Sequence, residues 1–308
     1  MFFDLNMDMP YEASDLKHFK QLYNYQRPSH MTAEDWDLRA KQRSIKRAKK
    51  NSDSRLALEA RLDFTVDFLL RQGALNREYR VLDAGCAEGD FVLRFAEHCH
   101  LAEGFDLSPA MIDEANKKAK AKQLENVNFW VQDATCLDES IFAQPYDLVF
   151  ASITPASNHL SGLDRLIRLS RRHLLLVNFV RAENYLDEAI HQSLVQRPAR
   201  QRFDCHHHYA LMNLFFLAGY DPVIDYFEQI RRSPIDDPEA ERRRCLKYCT
   251  EAGLSPEAAL PVIETELTSA IAEGGLKTRF TFAYLYIDLD KKGRREIYPR
   301  EADFSLAK

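Results

Sequence analysis

"RVLDAGCAEGDF", residues 80–91, decides how the rest of the chain is read. Val81 and Leu82 open as a buried strand and run into a turn holding Gly85 and Gly89. "GDFVLRFAEHC" (89–99) follows with Phe91, Val92, Phe95 and Ala96 at helical spacing. Strand, glycine turn and helix make a nucleotide-type loop, but the glycines are misplaced for the dinucleotide version. G-x-G-x-x-G counted from Gly85 requires glycine at 87 and 90, where Ala87 and Asp90 stand. An acid in the first helical turn also repels a pyrophosphate. With Asp83 two residues before Gly85, the loop suits a ligand that carries an ammonium and no phosphate.

Outward from this loop, short apolar runs alternate with helical stretches. "YRVLDAG" (79–85), "LAEGFDL" (101–107), "VNFWVQD" (127–133), "YDLVFAS" (146–152) and "HLLLVNFV" (173–180) read as strands. Ser108-Pro109 starts "AMIDEANKKAKAK" with a hydroxyl cap and a proline in the first turn. "SGLDRLIRLSRR" sets Leu163, Leu166, Ile167 and Ser170 along one stripe. This alternation implies βαβ units and a parallel sheet covered on both faces. Beyond 180, helices at about 183–196 and 206–218 precede a sixth strand in "GYDPVIDYFEQI". "RFTFAYLYIDLD" (279–290) closes the pattern with strict alternation of β-formers.

Bulk properties narrow the class. The chain has 308 residues, 45% hydrophobic and 29% charged, enough apolar material for a real core. A net charge of -5 argues against a dedicated nucleic-acid binder. The opening "MFFDLNMDMPYEASD" lacks the basic and apolar regions of a secretory signal, and no run approaches the ~20 apolar residues of a membrane span. The scattered cysteines Cys86, Cys99, Cys136, Cys205, Cys245 and Cys249 fit a reduced compartment. The expectation is a cytoplasmic protein without a membrane partner.

Asp83-Ala84-Gly85-Cys86-Ala87-Glu88-Gly89 resembles the first motif of the class I S-adenosylmethionine-dependent methyltransferases, D/E-x-G-x-G-x-G, with Ala87 replacing the middle glycine. That replacement costs little provided that φ at Ala87 stays negative. Asp106, at the end of the second strand, and Asp133, in "WVQDAT" at the end of the third, extend the likeness. Three acids at the C-terminal ends of consecutive parallel strands converge on one crevice, the usual ligand site of such sheets. The resemblance covers 56–180 well and 220–290 in outline. It implies a Rossmann-like three-layer α/β sandwich with a mostly parallel seven-stranded sheet and an antiparallel last strand. The cofactor implied is S-adenosyl-L-methionine, with S-adenosyl-L-homocysteine as product. By resemblance Gly85, Ala87 and Gly89 let the backbone approach the methionine portion, and Asp83 orients the loop or receives the amino group. Asp106 holds the ribose, Leu107 packs on the adenine, and Asp133 with the Ala134 amide reads its edge. The resemblance also places an aromatic and an arginine of an N-terminal helix over the cofactor, which nominates Trp36 and Arg39.

The acceptor is less legible. Base methyltransferases carry N/D-P-P-Y/F/W after the fourth strand, whereas this chain has Ser152-Ile153-Thr154-Pro155. Ser152 is a candidate for lining the methionine or acceptor, and His159 is the nearby side chain suited to general-base work. "DCHHHYALMN" (204–213) contains metal-ligand types, but only Cys205 and His208 share a helix face, and two ligands do not make a site. The basic run at 39–50 reads as a solvated helix face. Residues 1–55 form a helical extension, 56–232 with 278–308 the core, and 233–277 a helical insertion that leaves from the cofactor side of the sheet as a substrate lid. The function expected is methyl transfer to a small-molecule acceptor. The alternatives are a non-catalytic ligand- or partner-binding module, aminocarboxypropyl transfer, or an RNA methyltransferase.

Overall fold

The computed structural model describes residues 13–24, 37, 52–136, 145–194 and 206–291. Among these, Arg80–Ala84 (β1), Leu101–Asp106 (β2), Val127–Val131 (β3) and Tyr146–Ser152 (β4) are short, and β1 and β4 are buried on both faces. Ser170–Asn184 (β5), Val223–Ser233 (β6) and Leu276–Asp288 (β7) are longer. They form one seven-stranded sheet in the order β3-β2-β1-β4-β5-β7-β6. β1 to β5 pair in parallel, while β7 runs antiparallel to both β5 and β6. The expected sandwich, with its reversed last strand, is the fold observed.

Nine helices of the described residues surround the sheet: Ala13–Asn24 (α1), Ser52–Arg71 (α2), Asp90–Phe95 (α3), Pro109–Ala121 (α4), Leu160–Leu169 (α5), Tyr185–Leu194 (α6), His206–Leu217 (α7), Pro238–Glu251 (α8) and Pro256–Ala272 (α9). One face of the sheet is covered by α2, α3 and α4, through Leu62, Val66, Phe68, Leu69, Phe91, Phe95 and Ile112. The other is covered by α1, α5 and α7, through Tyr23, Leu163, Leu166, Leu211 and Phe215. Each large apolar side chain buried there contributes ~1.5–3 kcal/mol. A third cluster joins α6, α8 and α9 through Leu186, Ile190, Cys245, Cys249, Ile263 and Leu267, so both cysteines of the "CLKYC" stretch are packing residues. No described helix is long and apolar enough to cross a membrane.

Two elements differ in length from their sequence signals. β5 extends to Asn184, because Arg181–Asn184 complete their ladder with Thr278–Thr281 of β7 after a register shift at Phe179/Arg181. The polar "RAEN" has no apolar alternation of its own, and its strand conformation comes from the partner. Conversely, α3 stops at Phe95 rather than continuing to 99. Glu97 and His98 bond back three residues, to the Arg94 and Phe95 carbonyls, which tightens the chain out of the helix.

Candidate cofactor site

The loop after β1 is fixed by its neighbours on both sides. The Gly85 and Cys86 amides both donate to the Phe105 carbonyl at 2.9 Å. Gly85 has φ 86, and a Cβ built there would lie 2.8 Å from the Thr154 Cβ, so the loops after β1 and β4 touch at this glycine. Gly89, φ 74, lies against Phe129, whose Cε1 would be 2.7 Å from an added Cβ. Ala87 departs from the condition set by its sequence: its φ is 48, in the left-handed region that glycine tolerates and alanine does not. Its conformation is held by Asp106. One carboxylate oxygen accepts from the Ala87 amide at 2.9 Å and the other from the Ser108 amide at 3.0 Å. Asp106 therefore clamps the β1–α3 turn to the β2–α4 turn, with Leu107 half-buried between its two contacts. Ser108 caps α4 as its sequence signals, and its hydroxyl also donates to Asp37.

The acids of the turn are not equivalent. Glu88 and Asp90 share the Lys118 ammonium, at 3.1 and 2.5 Å, so neither stands as a bare negative charge. Asp83 is 2% exposed and makes no side-chain hydrogen bond or ion pair among the described residues. Burial, then the neighbouring Asp106, pushes its carboxyl well above the usual carboxylate range, while Arg61 pulls the other way. Arg61, on α2, was not visible as a site residue in the sequence. Its guanidinium lies over the rings of Phe91 and Phe282, 4.9 Å from each centroid, and its buried Nε has no hydrogen-bond partner among the described residues. Burial lowers its pKa, opposed by the nearby Tyr284, Asp83 and Asp90. The signal that marks it is a charged residue at i+3 and i−4 between Leu58 and Thr65 on the packed stripe of α2.

After β4, Ser152 ends the strand opposite Val177, its hydroxyl oxygen buried and without a hydrogen bond among the described residues. Ile153 has φ 53, a strained value for a β-branched residue, and its amide still reaches the Val177 carbonyl at 2.8 Å. Thr154 caps the short 3-10 turn Pro155–Ser157. Tyr23 of α1 enters here fully buried: its hydroxyl donates to the Ser157 carbonyl and its ring stacks on His207 at 4.2 Å. Burial drives the pKa of His207 down to about 4, against hydrogen bonds that its ring donates to the Tyr23 and Ser157 backbones. His208 is likewise lowered to about 4 by burial. Both histidines are thus neutral packing residues, and Cys205 lies outside the described residues. His159 occupies the N-cap position of α5 and makes no side-chain capping bond.

Asp133 lies two residues past the end of β3, where its carbonyl accepts from the Cys136 amide in the 3-10 turn Ala134–Cys136. Ala134 is buried in the core beside that turn. The fold therefore gathers Asp83, Gly85, Ala87, Gly89, Asp106, Leu107, Asp133, Ala134 and Ser152 along the C-terminal edge of β1–β4. His159 stands at the start of α5, after the β4 loop. Trp36 and Arg39 lie outside the described residues.

The donor set fits a cationic amino-acid nucleoside. The buried carboxyl of Asp83 has no cation partner among the described residues, the loop beside it has no Cβ at 85 and 89, and a strand-end acid follows at 106. Residues 75–206 match the family model described as a methyltransferase domain. Aklanonic acid methyltransferase DauC of Streptomyces sp. (strain C5) is 37% identical over 76 residues, 24% of this chain and 34% of that relative. The chain thus spans about a third of the length of that curated relative. Among solved structures, the YcgJ protein of Bacillus subtilis is similar at a TM-score of 0.47 with 15% identity, covering 73% of this chain and 98% of that one. Magnesium protoporphyrin IX methyltransferase of Synechocystis PCC 6803, crystallised with S-adenosylhomocysteine, follows at 0.43 with 18% identity, covering 75% and 85%. The stretch matched by that family model holds the Gly85 turn and the ends of β1 to β4.

Proposed function

We propose that the chain, through the methyltransferase domain of residues 75–206, transfers a methyl group from S-adenosylmethionine to a small-molecule acceptor. When bound, that cofactor supplies an electrophilic methyl on its sulfonium and leaves as S-adenosylhomocysteine. The observation that carries the reading is the Asp106 clamp, which holds the glycine turn in one shape beside the unpaired Asp83 carboxylate. In this reading Asp83 receives the methionyl ammonium, Asp106 the ribose, and Leu107, Asp133 and Ala134 the adenine. Such transfer draws its rate from in-line placement more than from acid–base help. The residue offered to the acceptor is Ser152, whose buried hydroxyl lacks a partner. A small acceptor is favoured by Ser152-Ile153-Thr154-Pro155, which has neither the amide nor the aromatic stacker that an exocyclic base amine needs. The negative net charge agrees, as does a relative named for a small acid.

Calorimetric titration with S-adenosylmethionine, S-adenosylhomocysteine and NAD tests the cofactor. The two adenosyl ligands are expected to bind at micromolar concentration and NAD not at all. Asp106→Ala should weaken them by ~10-fold or more, about 1.4 kcal/mol. Folded protein that binds neither adenosyl ligand would overturn the reading.

A further inference from the structure

β6 ends the strand order, so among the described residues one of its two sides has no neighbouring strand. An edge strand exposes a row of backbone donors and acceptors, and folded proteins blunt such edges with short length, proline, bulges or repelling charge. β3, at the opposite edge, is only five residues long. β6 runs for 11 residues and contains neither proline nor glycine. It pairs with β7 residue for residue, from Val223 opposite Tyr286 to Ser233 opposite Leu276, without a bulge. It also leaves Val223, Tyr226 and Ile230 exposed at 39%, 54% and 49%.

The charges of this strand are ordered: the acids Asp225 and Glu228 come first, and Arg231 and Arg232 follow. That order repels a parallel copy and attracts an antiparallel one. We propose that β6 is a self-association edge, pairing antiparallel with β6 of a second copy and joining the two sheets into one. Full overlap of 223–233 puts the two-fold axis at its middle residue, Glu228. Asp225 then faces Arg231 of the second copy, and Tyr226 faces Ile230 of the second copy. A two-fold axis perpendicular to the sheet keeps each face on its own side, and alternate residues share a face. Asp225, Phe227, Gln229 and Arg231 therefore stay on the α2 side, where Phe227 meets the Phe64 ring at 5.0 Å. Tyr226, Glu228 and Ile230 stay on the α7 side, where Tyr226 lies 6.4 Å from the His208 ring. Opposite charges and apolar side chains that face each other across an antiparallel ladder stabilise it. Positions 225 and 231 cannot meet within one chain, since six residues of strand hold them ~20 Å apart. Their present contacts compete little. Asp225 reaches Arg71 at 3.5 Å with both side chains well exposed, and Arg231 donates to Gln229 of its own strand. The one unfavourable pair in this register is Glu228 against itself on the axis.

Sedimentation velocity of the full chain over a concentration series tests the pairing. Wild type is expected to pass from monomer to dimer at micromolar concentration. Asp225→Arg and Arg231→Asp each set like charges opposite one another and should weaken association by ~10-fold or more. Mixed in equal amounts, the two variants should associate again. One strand then carries arginine at both positions and the other aspartate, so every facing pair is of opposite sign. Glu228→Gln removes the repulsion on the axis and should tighten the dimer. Circular dichroism melts, taken where wild type is monomeric, should coincide for all variants, because exposed charges contribute little to the fold of one chain. Wild type that stays monomeric up to ~100 μM overturns the proposal and leaves the edge to a strand of some other protein. A dimer indifferent to both charge reversals, or reversed variants that fail to associate when mixed, overturns it as well. S-adenosylhomocysteine binding should be the same in all of these variants, since β4, β5 and β7 lie between β6 and β1, so neither result bears on the cofactor reading.

Discussion

Gly85 is where two loops of the crevice meet, and replacing it tests that contact directly. In Gly85→Ala the new Cβ would fall 2.8 Å from the Thr154 Cβ, closer than carbon atoms pack, on a backbone whose φ is 86. The left-handed conformation costs an L-residue ~1–2 kcal/mol. Overpacking against a held neighbour adds ~1–3 kcal/mol. The expected loss is ~2–5 kcal/mol, a large share of the ~5–15 kcal/mol that keeps a domain folded. The two contributions separate in a cycle with Thr154→Gly. Thr154 caps the Pro155–Ser157 turn through a 3.4 Å bond, and replacing a capping threonine by glycine costs only a few tenths of a kcal/mol in capping. The double variant should recover the overpacking part, a coupling of ~1–3 kcal/mol, and keep the backbone part. Urea unfolding at constant slope measures all four corners of the cycle. Additivity within ~0.5 kcal/mol would refute the argument, because the side chain at 154 would then not be what excludes a Cβ at 85.

Ala87→Gly should stabilise the ligand-free chain by ~0.5–1 kcal/mol, since relief at φ 48 outweighs the added freedom of the unfolded glycine; a loss in the same urea titration would contradict the left-handed assignment. Asp83→Asn removes a carboxyl whose folded pKa is raised, first by burial and then by Asp106. A raised folded pKa means that the wild-type carboxyl favours folding while it is protonated and loses that advantage as pH climbs from 3.8 through the folded value. The amide has no such loss, so melts across pH should show the variant gaining on wild type above pH ~4, with no gain below it. Parallel melting curves at every pH would refute this, and S-adenosylhomocysteine affinity should fall in the same variant.

The parts of this fold that were legible in the sequence are those whose residues carry their own pattern. β1 and β4 are near-continuous apolar runs because both faces are covered, and Ser108-Pro109 marks the start of α4 by capping chemistry alone. The strand-end acids could be placed because a strand's end fixes where the next residue points. What escaped depends on partners distant in the chain. Arg181–Asn184 are strand only through β7, and Ala87 is left-handed only because Asp106, on another strand, takes its amide. Asp106 was expected as a ribose ligand, yet both of its oxygens already receive backbone amides, a duty that no local pattern records. Arg61 escaped for a different reason. A lone arginine on a packed helical stripe reads as a long aliphatic stem reaching water, and only the tertiary structure sets Phe91 and Phe282 on either side of its charge.

The two edges of the sheet treat charge in opposite ways. At the N-terminal edge, Glu103 receives Arg80 at 3.0 Å and the Tyr146 hydroxyl at 2.9 Å, and Asp147 receives the Arg80 amide and Arg171. Each buried acid there has its desolvation offset by partners within the chain. At the C-terminal edge, Asp83 and the Ser152 hydroxyl have no hydrogen-bond partner among the described residues, and Ala87 and Ile153 hold left-handed backbones that cost ~1–3 kcal/mol each. The unbonded nitrogens of His207 and His208 do not belong to this account, because a pKa near 4 keeps those rings neutral. A buried ion without a partner costs far more than a neutral polar atom, and the raised titration of the Asp83 carboxyl is that cost expressed as a retained proton. Such penalties gather at sites whose missing partners arrive with a ligand. Saturation with S-adenosylhomocysteine should therefore raise the melting temperature of wild type more than that of Asp83→Asn, because only in wild type does the methionyl ammonium meet an acid that the described chain leaves without a partner.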